Sequence, residues 1–76
     1  MKFEKETRVY IAGCGGMLGR AVYEYFNART TVKATDIDLN IAWLSYADVR
    51  DYTSIDDSIG EFNPQFILNL AALTDL

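Results

Sequence analysis

The chain has 76 residues, half of them hydrophobic, a net charge of −4, one cysteine and no histidine. This is one small domain at most, with enough apolar content for a globular interior and no basic footprint for nucleic acid. A single cysteine excludes an internal disulfide, the lack of histidine argues against a zinc site, no apolar run is long enough to span a bilayer, and the charged start Met-Lys-Phe-Glu-Lys-Glu does not read as a secretory signal, so a reducing cytoplasm is the expected compartment.

Residues 8–12 are a short strand in which Val9, Tyr10 and Ile11 are all apolar, the pattern of a strand buried on both faces at the centre of a parallel sheet. The strand runs straight into Gly13, Gly16 and Gly19, spaced G-x-x-G-x-x-G. Strand, glycine loop and helix in that order present a helix N-terminus to a pyrophosphate. Gly13 falls where the chain must turn sharply. Gly16 lets the backbone touch phosphate, and Gly19 lets the helix lie close to the sheet. Met17 and Leu18 fall at the helix start, where amides lack intrahelical partners and can face an anion. Read as G-x-G-x-x-G, the loop uses Gly13 and Gly15 but fails at Leu18. The phosphate-loop alternative is absent, because no glycine is followed by lysine. Glycines also cluster in ordinary turns.

Residues 18–29 predict a helix with Leu18, Val22, Tyr25 and Phe26 on its core-facing stripe. Residues 31–35 form a second strand closing on Asp36. Residues 37–43 are ambiguous between strand continuation and a folded loop. A third strand is expected over 42–47, ending at Asp48. Asp51 then reads as the N-cap of a second helix with Ile55, Ile59 and Phe62 on one face. Gly60 weakens that helix near its end and Asn63-Pro64 stops it. Residues 65–70 are a fourth strand, nearly continuously apolar. The pattern is β-α-β-β-α-β, and right-handed crossovers give the spatial order 3-2-1-4. The expected fold class is α/β, a Rossmann-type parallel sheet with flanking helices.

Asp36 lies about 20 residues past the glycine loop, where an acidic residue can accept hydrogen bonds from both adenosine ribose hydroxyls and repel a 2′-phosphate. It favours NAD over NADP as cofactor; the alternative is a surface aspartate in a turn. Arg20, just after the loop, is either a partner for a 2′-phosphate or a solvated helix arginine. Asp48-Val49 sits where a carboxylate can accept the adenine amino group and a valine can cover the ring, with a helix-starting aspartate as the competing reading. The ending Asn69-Leu-Ala-Ala-Leu-Thr-Asp75 supplies two small residues after a buried strand. Cys14, near a helix N-terminus, is either a thiol of lowered pKa or a small residue that fits the loop.

Taken together, the glycine loop, Asp36, Asp48-Val49 and Asn69-x-Ala-Ala-x-Thr74 resemble the extended branch of the short-chain dehydrogenase/reductase superfamily, over residues 8 to 75. The Asn-x-Ala-Ala-x-Thr-Asp segment resembles dTDP-4-dehydrorhamnose reductases and their sugar-nucleotide relatives, which belong to dTDP-rhamnose biosynthesis. The weakest stretch of the resemblance is 37–47. It implies pyrophosphate contacts for Gly13, Gly16, Met17 and Leu18, adenosine ribose contacts for Asp36 and Ile37, and adenine contacts for Asp48 and Val49. Ala71, Ala72 and Thr74 would line the path toward the nicotinamide. It also implies a Ser or Thr after a fifth strand and a catalytic Tyr-x-x-x-Lys. No tyrosine here has lysine four residues on, so Tyr10, Tyr23, Tyr25, Tyr46 and Tyr52 do not fit that role. The expectation is an incomplete NAD(P)-binding domain over 1–76, the N-terminal part of a larger doubly wound domain, without catalytic helix or substrate domain. The implied partners are a dinucleotide and, for the parent, a nucleotide-sugar substrate. Reductase, epimerase or dehydratase, and a non-catalytic dinucleotide-binding subunit all remain open.

Overall fold

The computed structural model describes residues 4–36, 39, 42–48 and 50–70. Its elements are β1 (Arg8–Ala12), α1 (Met17–Asn27), β2 (Thr31–Asp36), β3 (Ser45–Tyr46), α2 (Tyr52–Phe62) and β4 (Phe66–Asn69). The four strands form one sheet in the order β3-β2-β1-β4, and every pairing is parallel. The chain is therefore α/β with the strand order expected from its sequence.

β1 is the centre of the molecule. Val9, Tyr10 and Ile11 are fully buried, and successive side chains point to opposite faces. Val9 and Ile11 join Cys14, Ala34 and Leu44 in a cluster that Val22, Tyr23 and Phe26 of α1 cover. Tyr10 faces the other way. Its ring lies 6.4 Å from that of Phe62, and its hydroxyl donates to Ser58 Oγ at 2.9 Å. The two helices thus cover opposite faces of the sheet. Val9, Ile11 and Leu44 each contribute on the order of 1.5–3 kcal/mol by burial, and the hydrogen bond removes the cost of burying the tyrosine oxygen.

The second helix starts and stops as its residues dictate. Asp51 Oδ1 accepts from the amides of Thr53 and Ser54. Asn63 takes the left-handed conformation at φ 53° and donates its amide to Ile59 O, which places Pro64 outside the helix. The half-buried side of α2 carries Ile55, Ile59 and Phe62, as expected.

The stripe of α1 differs from the sequence reading. Leu18 is 55% and Tyr25 51% exposed. Tyr23 instead turns toward the core and stacks on Trp43, with ring centroids 3.8 Å apart and planes 2° from parallel. Tyr25 lies under the Arg29 guanidinium at 3.9 Å. The inward line is Gly19, Val22, Tyr23 and Phe26, an i, i+3, i+4, i+7 series. It begins on a glycine, which carries no hydrophobic signal, so a pattern built from apolar residues alone is rotated by about one position.

β3 is also shorter than expected, because only Ser45 and Tyr46 pair with Thr35 and Asp36 before β2 ends. Leu44 and Ala47 on either side are buried, and Trp43 lies in a turn before the strand. Residues 37, 38, 40 and 41 of the ambiguous segment lie outside the described residues. Strand β4, nearly continuously apolar in sequence, alternates in exposure. Phe66 and Leu68 pair with Val9 and Ile11 and pack with them on the α1 face, whereas Ile67 is 53% exposed. Among the described residues β4 is a sheet edge, and an edge bearing an exposed isoleucine is a template for pairing with another chain. Ile67→Lys is therefore expected to lower light scattering at high protein concentration, with a loss of about 1 kcal/mol or less in stability; unchanged association would show that this edge is not the contact.

Candidate functional site

All four strands point the same way, so their carboxyl ends share one edge of the sheet. The chain leaves β1 at Gly13, whose φ is 78°, a left-handed value that glycine adopts without steric cost. The amides of Gly13 and Cys14 both donate to Thr35 O, at 2.9 and 3.0 Å. The turn is thus tied to the neighbouring strand before the helix begins. Gly16 is the N-cap of α1, in an extended conformation (φ −95°) and without a side chain to cap the helix. The first turn carries no acidic residue, in contrast to the Asp51 cap of α2. The positive end of the α1 dipole therefore faces outward over the loop, where it favours an anion. The Met17 side chain is 93% exposed, and Leu18 is also exposed, so both stand at the rim of this surface.

The loop glycines serve different needs. A Cβ on Gly19 would lie 2.5 Å from the carbonyl carbon and oxygen of Cys14 and 2.6 Å from its Cα. No backbone can yield that far, so Gly19 is the point at which α1 seats on the loop. A Cβ on Gly15 would lie 2.9 Å from Asp36 Oδ2. Around Gly16, among the described residues, no atom other than its own and those of its chain neighbours lies within 4 Å of the equivalent position. Gly15 is the residue that sequence reasoning passed over. Its signal was present as the Gly13-x-Gly15 pair, set aside because the sixth position of that motif is Leu18.

Asp36 ends β2 beside the loop, and its Oδ2 accepts the Gly15 amide at 2.9 Å. The structure thus brings Gly13, Gly16, Met17, Leu18, Gly19 and Asp36 together at the carboxyl edge. Asp48 follows β3 on the same edge, but both its oxygens are turned to Arg50. Oδ1 accepts from Arg50 N and Nε at 2.9 and 3.0 Å, and Oδ2 accepts from Nη2 at 3.0 Å. These bonds hold the Asp48 carboxyl below the usual carboxylate range. The helix-starting role falls to Asp51. Arg20 pairs with Glu24 at 3.4 Å, with both side chains about two-thirds exposed, the geometry of a solvated helix arginine. Ile37, Val49, Ala71, Ala72 and Thr74 lie outside the described residues.

Cys14 is fully buried, and its thiol donates to Gly19 O at 3.0 Å. Burial, and then the charge of Asp36, push its pKa up to about 11. The lowered pKa that a helix N-terminus can induce is overridden here: the thiol is a packing residue of the loop. Among the described residues no helix is long and apolar enough to cross a membrane. Neither protein-family models nor curated proteins yield a match to this chain.

Two outcomes follow from this packing. Gly19→Ala forces a Cβ into the Cys14 backbone and is expected to destabilise the protein by about 3 kcal/mol or more, readable as a drop in the denaturant midpoint; a change below about 1 kcal/mol would mean that α1 seats elsewhere. For Cys14, only on the order of one molecule in 10⁴ carries the thiolate at pH 7. Alkylation of the native protein should accordingly be slow and become fast on unfolding. Between pH 9 and about 11 the unfolded thiol ionises while the folded one keeps its proton. Folding stability should fall through that window, and this component of the fall should be absent in Cys14→Ala.

Proposed function

We propose that the chain is the dinucleotide-binding half of an NAD(P)-dependent oxidoreductase of the extended short-chain dehydrogenase/reductase type, acting in the cytoplasm on a nucleotide-activated 4-keto sugar. The observation that carries this reading is Gly16. Gly13 is required by its conformation, and Gly15 and Gly19 by the atoms beside them. Gly16 has an extended backbone and, among the described residues, open space around it, so neither strain nor packing by those residues calls for glycine there. Close approach of a ligand to the backbone does. The helix start behind it offers amides to a pyrophosphate, and Asp36, held against the same loop, offers a carboxylate to the adenosine ribose. A carboxylate in that place disfavours a 2′-phosphate, which makes NAD the preferred cofactor.

When bound, the nicotinamide would exchange hydride with the sugar C4. This chain's own residues bind and orient: the loop amides hold the diphosphate, Asp36 selects the ribose, and Asp48 borders the adenine end once Arg50 shares it. Reduction of a carbonyl also needs a proton donor near the reacting oxygen, and the Tyr-x-x-x-Lys pair that supplies it in this superfamily is absent from these 76 residues. A dinucleotide-binding subunit without catalysis of its own would use the same loop and carboxylate. An epimerase or dehydratase of nucleotide sugars would use the same half-site.

The test is titration of the protein with NAD and NADP by calorimetry, for the wild type, Gly16→Asp and Asp36→Ser. Gly16→Asp supplies the missing helix cap and should raise stability by up to about 1 kcal/mol, while its charge in the phosphate position weakens both dinucleotides at least tenfold. Asp36→Ser should weaken NAD and bring the two affinities within about threefold, since it removes the ribose acceptor and the repulsion together. Binding unaffected by Gly16→Asp, or no binding to the wild type, would overturn the proposal.

A further inference from the structure

Gly15 lies between the sharp turn at Gly13 and the start of α1. Its amide donates to Asp36 Oδ2 at 2.9 Å. A Cβ on residue 15 would meet Oδ2 at 2.9 Å, Cγ at 3.1 Å and Cβ of Asp36 at 3.6 Å. The three nearest atoms all belong to that one side chain. Gly15 does not have a positive φ, unlike Gly13, so its backbone conformation is open to other residues. The reason for glycine at this place is the aspartate.

We infer that Gly15 is a specificity-determining positioning residue: its amide and its missing side chain together set where the Asp36 carboxylate stands, and so set the preference between a free ribose and a 2′-phosphorylated one. The inference rests on the dinucleotide reading above. Two effects act on the same group. The amide draws one carboxylate oxygen onto the loop, and hydrogen bonds from neutral N–H to a charged acceptor are stronger than those between neutral groups. The absence of a Cβ leaves the carboxyl room to reach that amide. Alanine keeps the amide but its Cβ displaces the carboxyl, because the tight contacts reach Cγ as well as the outer oxygen. The carboxylate is then pushed back from the loop and off its alignment with the ribose hydroxyls it would accept from, and its repulsion of a 2′-phosphate falls with the added distance. Gly16, the neighbouring residue, has no such contact among the described residues, so the effect is assigned to residue 15.

The experiment is a double-mutant cycle on cofactor choice, with Gly15→Ala, Asp36→Ser and the pair, each titrated with NAD and NADP. With Asp36 present, Gly15→Ala should weaken NAD about tenfold, the equivalent of one charge-assisted hydrogen bond, and change NADP less than about threefold. With Ser at 36, the same substitution should shift both dinucleotides by equal, small factors. In ¹⁵N-labelled wild-type protein, the Gly15 amide proton should resonate downfield and return toward its random-coil position in Asp36→Ser, with no cofactor added. Equal losses for NAD and NADP in Gly15→Ala, with or without Asp36, would overturn the specificity role. A Gly15 amide resonance indifferent to Asp36→Ser would overturn the positioning. If the wild type binds neither dinucleotide, the dinucleotide reading fails and takes the specificity role with it, while the amide resonance still decides whether Gly15 holds Asp36.

Discussion

The architecture depends on one contact, that of Gly19 with the backbone of Cys14. A Cβ at 19 would come within 2.5 Å of the Cys14 carbonyl, so the helix is as close to the loop as a polypeptide allows. From that fixed point the rest of α1 is directed. Val22, Tyr23 and Phe26 reach the sheet, Leu18 and Tyr25 face outward, and the N-cap at Gly16 is held over the carboxyl edge. The thiol of Cys14 locks the same joint by donating to Gly19 O. A thiol is small enough for the space, and burial keeps it protonated, so it acts as a donor and not as a nucleophile.

The sheet gives this joint its rigidity. β1 is buried on both faces, with Val9 and Ile11 under α1 and Tyr10 under α2. Both amides of the turn after β1 donate to Thr35 O, so the glycine loop is tied to β2 as well as to its own strand. Asp36 follows Thr35 directly and reaches back to Gly15. Loop and carboxylate are therefore one unit: displacing either moves the other.

The electrostatics of the edge come from backbone more than from side chains. The chain carries a net charge of −4, and Arg20 and Arg50, which follow the glycine loop and β3 in the chain, are paired with Glu24 and Asp48. What favours an anion at the loop is the uncapped start of α1, in contrast to α2, whose first amides are already satisfied by Asp51. Positive dipole at Gly16 and negative carboxylate at Asp36 stand side by side. The proposed dinucleotide, with a charged diphosphate and a neutral diol, would use both.

The sequence by itself determined the strand order, the two helices, the cap at Asp51, the stop at Asn63-Pro64 and the grouping of the glycines with Asp36. These are local properties: burial on both faces of a strand, capping and left-handed conformations leave their mark in a few adjacent residues. Tertiary structure decided the rest. The rotation of α1 depends on a glycine that no hydrophobic pattern can register. Tyr23 is inward because Trp43, 20 residues away, offers its face. β3 is cut to two residues by the end of β2, and β4 alternates because it lies at the edge among the described residues. Asp48 turns to Arg50, and Gly15 matters only because Asp36 folds back upon it. Each of these is set by a contact between segments distant in the chain, and a pattern of neighbouring residues holds no record of which distant atoms will meet.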